Sequence, residues 1–353
     1  MEKSWAAVRL SSIAKIGSGR DIYDTERVAG DIPYITSGTR NNGIGYFVGN
    51  SNGVLARDVV VLNRNGAVGN AFYHPYKALV SNDCRTVNLE GEVGSDAKLF
   101  LSCAIAGQKE CFSYSRKLGT ARAEQLRIML PVDGDGFPDW DYMSSFVETM
   151  RKNLLKRYKD YVDKRLSGLE YREIPNLDEV EWKKFKVFGN QGLFQIAATR
   201  SSIDGIRLID GGSQTVPYVT RSDTNNGIAR YVSKDNFSFG RDEGGCITVG
   251  LDTQTAFYQP CAFVTGQNVH VITGNALNEY VAQFLIPLLV GQMRAKFNWG
   301  GNGATLGRMK TLELMLPVNT DGEPDFFYME QYTKNMMLRK YEGYLAYLHG
   351  QQP

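Results

Sequence analysis

The chain has 353 residues, 42% of them hydrophobic and 22% charged, with a formal net charge of +2. These values describe a folded chain of two domains. They exclude a helical membrane protein, since no apolar run approaches the ~20 residues needed to cross a bilayer, and the N-terminus MEKSWAAVRL lacks the apolar core of a secretory signal. Cys84, Cys103, Cys111, Cys246 and Cys261 are odd in number and form no CxxC pair, which predicts reduced, mostly buried thiols in a cytoplasmic protein. So small a charge neither supports nor excludes a nucleic-acid partner.

Read in chain order, the sequence repeats itself. Pro33-Tyr34-Ile35-Thr36 returns as Pro217-Tyr218-Val219-Thr220, and Asn41-Asn42-Gly43-Ile44 as Asn225-Asn226-Gly227-Ile228. Ala71-Phe72-Tyr73-x-Pro75 returns as Ala256-Phe257-Tyr258-x-Pro260. Met129-Leu130-Pro131-Val132 returns as Met315-Leu316-Pro317-Val318, and Asp135-Gly136-x-Pro138-Asp139 as Asp321-Gly322-x-Pro324-Asp325. Each four-residue match has a chance probability on the order of one in ten thousand at average residue usage. Five collinear matches establish a tandem duplication. Trp5 is matched by Trp182 at a slightly shorter spacing.

Each copy follows one plan. Short apolar runs such as Val59-Val60-Val61-Leu62 and Cys246-Ile247-Thr248-Val249, separated by Gly and Asn turns, predict strands. A short helix is expected near residues 97–107 and 278–294, then the Met-Leu-Pro-Val strand and the Asp-Gly-x-Pro-Asp turn, after which the period becomes helical. Met143, Val147, Met150, Leu154, Tyr158, Tyr161 and Val162 form one stripe, and Met329, Tyr332, Met336, Tyr341, Leu345 and Leu348 another. Lys152, Lys156, Lys159 and Lys164 fall mostly off the first stripe. A helix over residues 141–168 is roughly 40 Å long. Two such stripes are expected to bury each other as an antiparallel pair; the alternative is that each helix packs on its own β-rich domain. The predicted organisation is α+β: a β-rich domain over residues 1–140, a long helix and linker over 141–175, a second β-rich domain over 176–325, and a closing helix over 326–353.

Motifs of catalysis are scarce. His74, His270 and His349 lie in no metal-ligand spacing. There is no GxxxxGK[ST] and no GxGxxG after a strand; Gly17-Ser18-Gly19 and Gly300-Gly301-Asn302-Gly303 read as turns. The Asn/Asp-Pro-Pro-aromatic tetrapeptide of DNA methyltransferases is missing, and Asp139-Trp140 and Pro324-Asp325-Phe326 do not supply it. No acidic cluster beside a Lys stands out as a nuclease site. Together these readings favour a binding protein. Two other classes stay open: a duplicated β-rich adaptor for protein or carbohydrate, and an enzyme using Cys84 or His270.

Two β-rich domains in tandem, each followed by a long helix, resemble the specificity subunits of type I restriction–modification systems. The short form, with the second helix at its end, is similar also to those of type IIB systems. Lys117-Leu118-Gly119-Thr120 through Met129-Leu130-Pro131-Val132, then Pro138-Asp139-Trp140 and Tyr142-Met143, are similar to the end of such a target-recognition domain. The second copy departs from the first: Phe326 stands for Trp140, and Trp299-Gly300-Gly301-Asn302-Gly303 stands where the first has Tyr114-Ser115-Arg116-Lys117. The resemblance implies a non-catalytic subunit with no cofactor of its own. It would bind double-stranded DNA and dock DNA adenine methyltransferase subunits carrying S-adenosylmethionine, and in many systems nuclease subunits. Each domain would read half of a bipartite, asymmetric site, with the helices setting the spacing. A ~40 Å spacer corresponds to about 12 base pairs, close to one turn of DNA. Flipping the base to be methylated would fall to the partner.

Base reading calls for Arg toward guanine and Asn or Gln toward adenine. Arg40 and Asn41 in one loop, and Arg221 and Asn225 in its repeat, supply these types, whereas Asn42-Gly43 and Asn226-Gly227 read first as turn residues. Arg64 and Asn65 lie on a further loop. Ser115, Arg116, Lys117 and Arg122, and in the second copy Lys296, Asn298, Trp299, Asn302 and Arg308, suit phosphate or groove contact, with solvated surface as the plainer reading and core for Trp299. Gln267, Asn268 and His270 either read bases or satisfy backbone groups.

Overall fold

The computed structural model describes residues 3–189, 191–297 and 303–350. The chain divides into two compact units, Met1–Tyr158 and Lys159–Pro353. Each is mixed α and β and rich in strands.

The first unit contains β1 (Trp5–Arg9), β2 (Ala14–Ser18), β3 (Ala29–Ile35), β4 (Ile44–Val48), β5 (Val54–Asn63), β6 (Ala71–Val80), β7 (Cys84–Leu89), α1 (Ser95–Ala106), α2 (Thr120–Gln125), β8 (Arg127–Pro131) and the opening of α3 (Trp140–Leu166). Six strands form one sheet in the order β2-β7-β5-β6-β3-β4, antiparallel except where β3 runs parallel to β6. β1 and β8 pair separately, Trp5 opposite Pro131. Val60, Leu62 and Val87 from the sheet, Ala97, Leu101 and Ile105 from α1, and Ile128 and Leu130 from β8 close on one core. These residues alternate along the strands with Val59 and Val61, which enter a smaller core with Ala78 and Val80 on the other face, and α1 covers the first face.

The second unit contains β9 (Trp182–Lys186), β10 (Gln195–Ala198), β11 (Thr215–Val219), β12 (Ile228–Ser233), β13 (Cys246–Gly250), β14 (Thr255–Gln259), β15 (Val264–Thr265), β16 (Val269–Thr273), α4 (Glu279–Lys296), α5 (Leu306–Met309), β17 (Glu313–Pro317) and α6 (Phe326–Gly350). Its register repeats the first unit's, with β17 on β9 and Pro317 opposite Trp182. One difference is topological. The six-stranded sheet is split into β10-β16-β13-β14 and β12-β11-β15. In the first copy the long β6 passes Pro75 because β5 bulges at Asp58 (φ 53°) and resumes pairing beyond it. In the second, pairing on that side past Pro260 is reduced, among the described residues, to a bridge between Asp242 and Phe263, so the strand breaks and resumes as β15 on β11. Proline cannot donate to a ladder, and pairing survives it only where a bulge takes up the mismatch.

The turn before each long helix is the same device. Asp133 Oδ1 accepts from the amides of Asp135 and Phe137, and Asn319 Oδ1 from those of Asp321 and Glu323. Gly136 (φ 84°) and Gly322 (φ 76°) hold the left-handed corner that favours glycine. Asp139 and Asp325 then cap the helices, accepting from Tyr142 and Tyr328. The helices expected near residues 97–107, 278–294 and 141–168 are α1, α4 and α3.

Two expectations need correction. Only Cys84 and Cys246 are buried; Cys103, Cys111 and Cys261 are exposed, because each lies on a helix face, a short 3-10 turn or a loop rather than a core strand. The stripe on α3 is not buried along its length. Met143 is fully enclosed in its own domain's core, but Met150 and Leu154 stand about half exposed, at 49% and 58%. Met329 likewise enters its own domain's core. The capped turn sets the first helical turns directly over the strand they leave, so those turns pack locally. In the second unit the end of α3 meets α6: Tyr161 packs edge-on against Tyr341, and Arg165 donates twice to Glu279. Among the described residues no helix is long and apolar enough to cross a membrane.

Candidate nucleic-acid interface

Four loops meet at one end of the first unit. Loop 36–43 is a tight reversal. Asn41, Asn42 and Gly43 all have positive φ (50°, 53° and 79°), and Gly43 O accepts from the Thr36 amide. Asn63 Nδ2 donates to Gly38 O at 3.0 Å and the Ala67 amide donates to Ser37 O at 3.2 Å, tying loop 63–70 to the first. The Arg64 and Asn65 amides donate to Asp83 O, bringing in the turn before β7, and the Leu118 amide donates to Arg64 O, bringing in loop 113–119. Arg40, Asn41, Arg64, Asn65, Arg116 and Lys117 thus belong to one cluster of loops although they are far apart in sequence, with Arg122 beside it on α2.

The second unit builds the same corner. Asn225, Asn226 and Gly227 have φ of 50°, 57° and 75°, and Gly227 O accepts from the Thr220 amide. The Leu251 amide donates to Asn268 O, and the Ala304 amide to Leu251 O. Arg221, Asn225, Gln267 and Asn268 lie on these loops, and Arg308 on α5 beside them. Lys296 is exposed at the end of α4. Asn298, Trp299 and Asn302 lie outside the described residues.

Several candidate residues also brace the corner. Arg122 Nη1 donates to Lys117 O at 2.7 Å, and its repeat Arg308 donates to Gly303 O at 3.0 Å. Arg64 Nη1 donates to Asn82 O at 3.1 Å. Lys117 lies over the Tyr114 ring. Arg116, Gln267 and the asparagines Asn41 and Asn225 are exposed. The Asn-Asn-Gly runs are turns, as their sequence indicated.

One pairing is conserved with its partners exchanged. In the first unit Asn65 Nδ2 donates to Asp83 Oδ1 at 3.1 Å. In the second, Asn268 Nδ2 donates to Asp252 Oδ2 at 3.4 Å, and Asp252 also forms an ion pair with Arg221. The same two loops are clasped by an amide and a carboxylate in both copies, but the acid has moved from one loop to the other. The two corners therefore carry the same geometry and different charge.

Arg85 escaped the reading of the sequence. It is buried, donating from Nε to Thr120 Oγ1 at 2.8 Å and from Nη1 to the carbonyls of Cys84 and Asn82. Burial, and next the nearby Arg64 charge, lower its pKa. Strand register places His270 at the same point of the second copy, opposite Val249 as Arg85 is opposite Leu62. Aligning the repeats strand by strand would have found it. His270 is buried within β16 and its pKa is lowered by desolvation. Its ring nitrogens are buried without a hydrogen-bond partner among the described residues. Burial also pushes the Cys84 thiol up to about 12, so at neutral pH it is a protonated, inert group. No His, Cys, Asp and Glu group suited to a metal ion occurs among the described residues.

Comparison with known proteins adds the following. The family model for the type I restriction modification DNA specificity domain matches residues 2–157 and again 180–342. A specificity subunit of a type II restriction enzyme from Heyndrickxia coagulans, S.BcgI, is 32% identical over 155 residues. That match covers 44% of this chain and 46% of the relative, so it spans about half of that protein's length. The crystal structure of a type I restriction–modification S subunit from M. genitalium aligns over 99% of this chain and 93% of its own at 12% identity, with a TM-score of 0.51. It shares the fold. The HsdS subunit of Thermoanaerobacter tengcongensis aligns over 99% and 92% at 10% identity, with a TM-score of 0.31.

Proposed function

The chain belongs to the type I restriction–modification DNA specificity domain family, a family of DNA sequence recognition, and from that premise we propose that its two units read the two halves of a bipartite, asymmetric DNA site. The observation that carries this reading is the corner built twice. The same four loops converge in each copy, the turns and bracing arginines are retained, and the exposed side chains differ. One scaffold used twice with different surface chemistry suits two different base sequences. The first corner gathers Arg40, Arg64, Arg116, Lys117 and Arg122 and buries Arg85 beneath them, a cationic surface suited to phosphate and guanine. The second balances Arg221 against Asp252.

In this reading the subunit supplies binding and no catalysis. Methylation of adenine with S-adenosylmethionine would belong to modification subunits docked on it, and cleavage, where it occurs, to nuclease subunits. The long helices α3 and α6 would pair as an antiparallel coiled coil that sets the half-site spacing; the contact of Tyr161 with Tyr341 supports this. The complex would work in the cytoplasm, where DNA is.

Arg40→Ala is expected to weaken binding to one half-site about 10- to 100-fold and spare the other, and Arg221→Ala the reverse. Competition binding with each half-site scrambled in turn, in the presence of the modification subunit, measures both. Equal loss at both halves, or no DNA binding at all, would overturn the reading. Affinity should also fall steeply with salt, which an adaptor for neutral carbohydrate would not show.

Asp252 tests the pairing within the second corner. Asp252→Ala is expected to reduce affinity for the second half-site about tenfold, because Arg221 and Asn268 lose their common anchor and must be ordered on binding. The ion pair is largely exposed and contributes little to stability, so the melting temperature should hardly move. A lowered melting temperature with unchanged DNA affinity would assign Asp252 to structure alone.

A further inference from the structure

Both units carry the same cluster of four rings. In the second, Trp182, Phe284, Tyr332 and Tyr328 follow one another at centroid distances of 6.2, 5.6 and 6.2 Å, with Phe284 and Tyr332 edge-on at 89° and the two tyrosines stacked at 27°. In the first, Trp5, Phe100, Phe146 and Tyr142 follow at 6.2, 5.7 and 6.4 Å, with angles of 84° and 26° at the same steps. The rings come from matching elements: β9, α4 and α6 in one unit, β1, α1 and α3 in the other.

The cover over them differs. In the second unit residues 169–178, which form no helix or strand, run across the rings. Side chains hold their main chain. Gln331 Nε2 donates to Glu170 O at 2.8 Å, and Asn335 Nδ2 to Arg172 O at 2.6 Å. The Tyr328 hydroxyl donates to Pro175 O at 3.0 Å and Trp182 Nε1 to Leu177 O at 2.9 Å. Ile174 packs onto the core, and Tyr328 is left 5% exposed. In the first unit the matching face is open: Trp5 is 49% exposed, Phe146 43% and Met150 49%. A contiguous exposed aromatic face of this kind marks an interaction site. Tyr142 and Trp5 repeat the donors Tyr328 and Trp182, with Ser145 and Thr149 at the places of Gln331 and Asn335.

Charge indicates what the open face takes. The covering segment and the residues after it carry Glu170, Glu173, Asp178, Glu179 and Glu181 against Arg172 alone. Beyond its rings α3 exposes Lys152, Lys156 and Arg157, where α6 has Leu338, Glu342 and Gly343. α6 carries basic residues of its own, Lys334, Arg339 and Lys340, and the acidic cover of the second unit runs beside Arg339. We infer that the face formed by Trp5, Phe100, Tyr142, Phe146 and Met150 is a docking groove for an extended acidic segment of a partner polypeptide. The segment lies across the rings as residues 169–178 lie across the second set, its carbonyls held by Tyr142 and Trp5 and its carboxylates beside the basic run of α3. This groove is separate from the loop corner, and its occupancy requires no DNA.

A fluorescein-labelled peptide with the sequence of residues 169–181 is the probe, added to the full chain and followed by fluorescence polarisation. Saturable binding is expected, weakened by salt and reduced about tenfold or more by Phe146→Ser and by Met150→Glu. Arg40→Ala should leave it unchanged, which separates this result from the fate of the DNA-reading proposal. Both groove variants replace exposed side chains, so melting temperatures near that of the unmodified chain keep the assay readable. Absence of saturable binding, equal binding of a scrambled peptide, or full affinity in both variants overturns the inference. So does sedimentation showing a dimer that Phe146→Ser dissociates, since a second copy would then be the occupant.

Discussion

Met143→Ala and Met329→Ala are each expected to lower the stability of their unit by about 2–5 kcal/mol, the usual range for emptying a fully buried methionine site. Both side chains are fully enclosed, Met143 among Ile128, Leu130 and the α1 residues and Met329 beside Leu314, Leu316 and the α4 residues. Both lie at the start of a helix whose cap and preceding turn hold it rigidly, so the cavity cannot close by a small shift of the helix. Met150→Ala, two turns along the same stripe as Met143, should change stability by no more than about 0.5 kcal/mol, because that side chain is half exposed. Urea unfolding of the three variants measures the contrast. If Met150→Ala costs as much as Met143→Ala, the stripe on α3 is buried in solution.

Acid should destabilise the first unit well before its carboxylates titrate. His74 is fully buried, its Nδ1 3.1 Å from the Tyr76 hydroxyl, and burial lowers its pKa from 6.5 to about 4. Between those values the unfolded chain takes up a proton that the folded unit refuses. The unfolded state then binds more protons, so stability rises with pH across that window and is lost as pH falls through it. Each tenfold difference in proton affinity between the two states is worth about 1.4 kcal/mol, so the loss approaches ~3 kcal/mol by pH 4. Asp58 acts lower on the scale. Its hydrogen bond with Lys98, and next that with Tyr73, hold its pKa below 3.8, so its contribution is present above that value and lost only below it. Urea midpoints measured from pH 7 to pH 4 should therefore fall for the unmodified chain and fall much less for His74→Gln. Parallel slopes for the two would remove His74 from the account.

The repeats, strand runs, turns and caps were legible because each depends on residues close in sequence. Asp-Gly-x-Pro-Asp specifies a turn and a cap wherever it occurs, and Asn-Asn-Gly a left-handed reversal. The loops of the corner were legible as loops, and the arginines on them as candidates. Their assembly into a corner was not, because Arg64 meets Leu118 and Asp83 only through sheet register. Arg85 was hidden for the same reason: within Cys84-Arg85-Thr86-Val87 it reads as an ordinary strand residue, and only the fold places Thr120 and the carbonyls of Asn82 and Cys84 around it.

The sequence by itself determined that there are two copies of one β-rich unit, each leading through a capped turn into a long helix. Those features rest on periodicity and local hydrogen bonding, which neighbours along the chain decide. Only the tertiary structure decided which side of each helix is covered and which residues share a corner. Helical spacing shows that Met143, Met150 and Leu154 lie on one stripe, but burial depends on what stands opposite, and opposite Met150 nothing among the described residues closes the surface. The two ring clusters make the same point. They are nearly identical in sequence position and in geometry, and the second is covered because a linker with the right main-chain path crosses it. Whether an apolar face becomes core or interface is settled by chain path, a property no single stretch of residues contains.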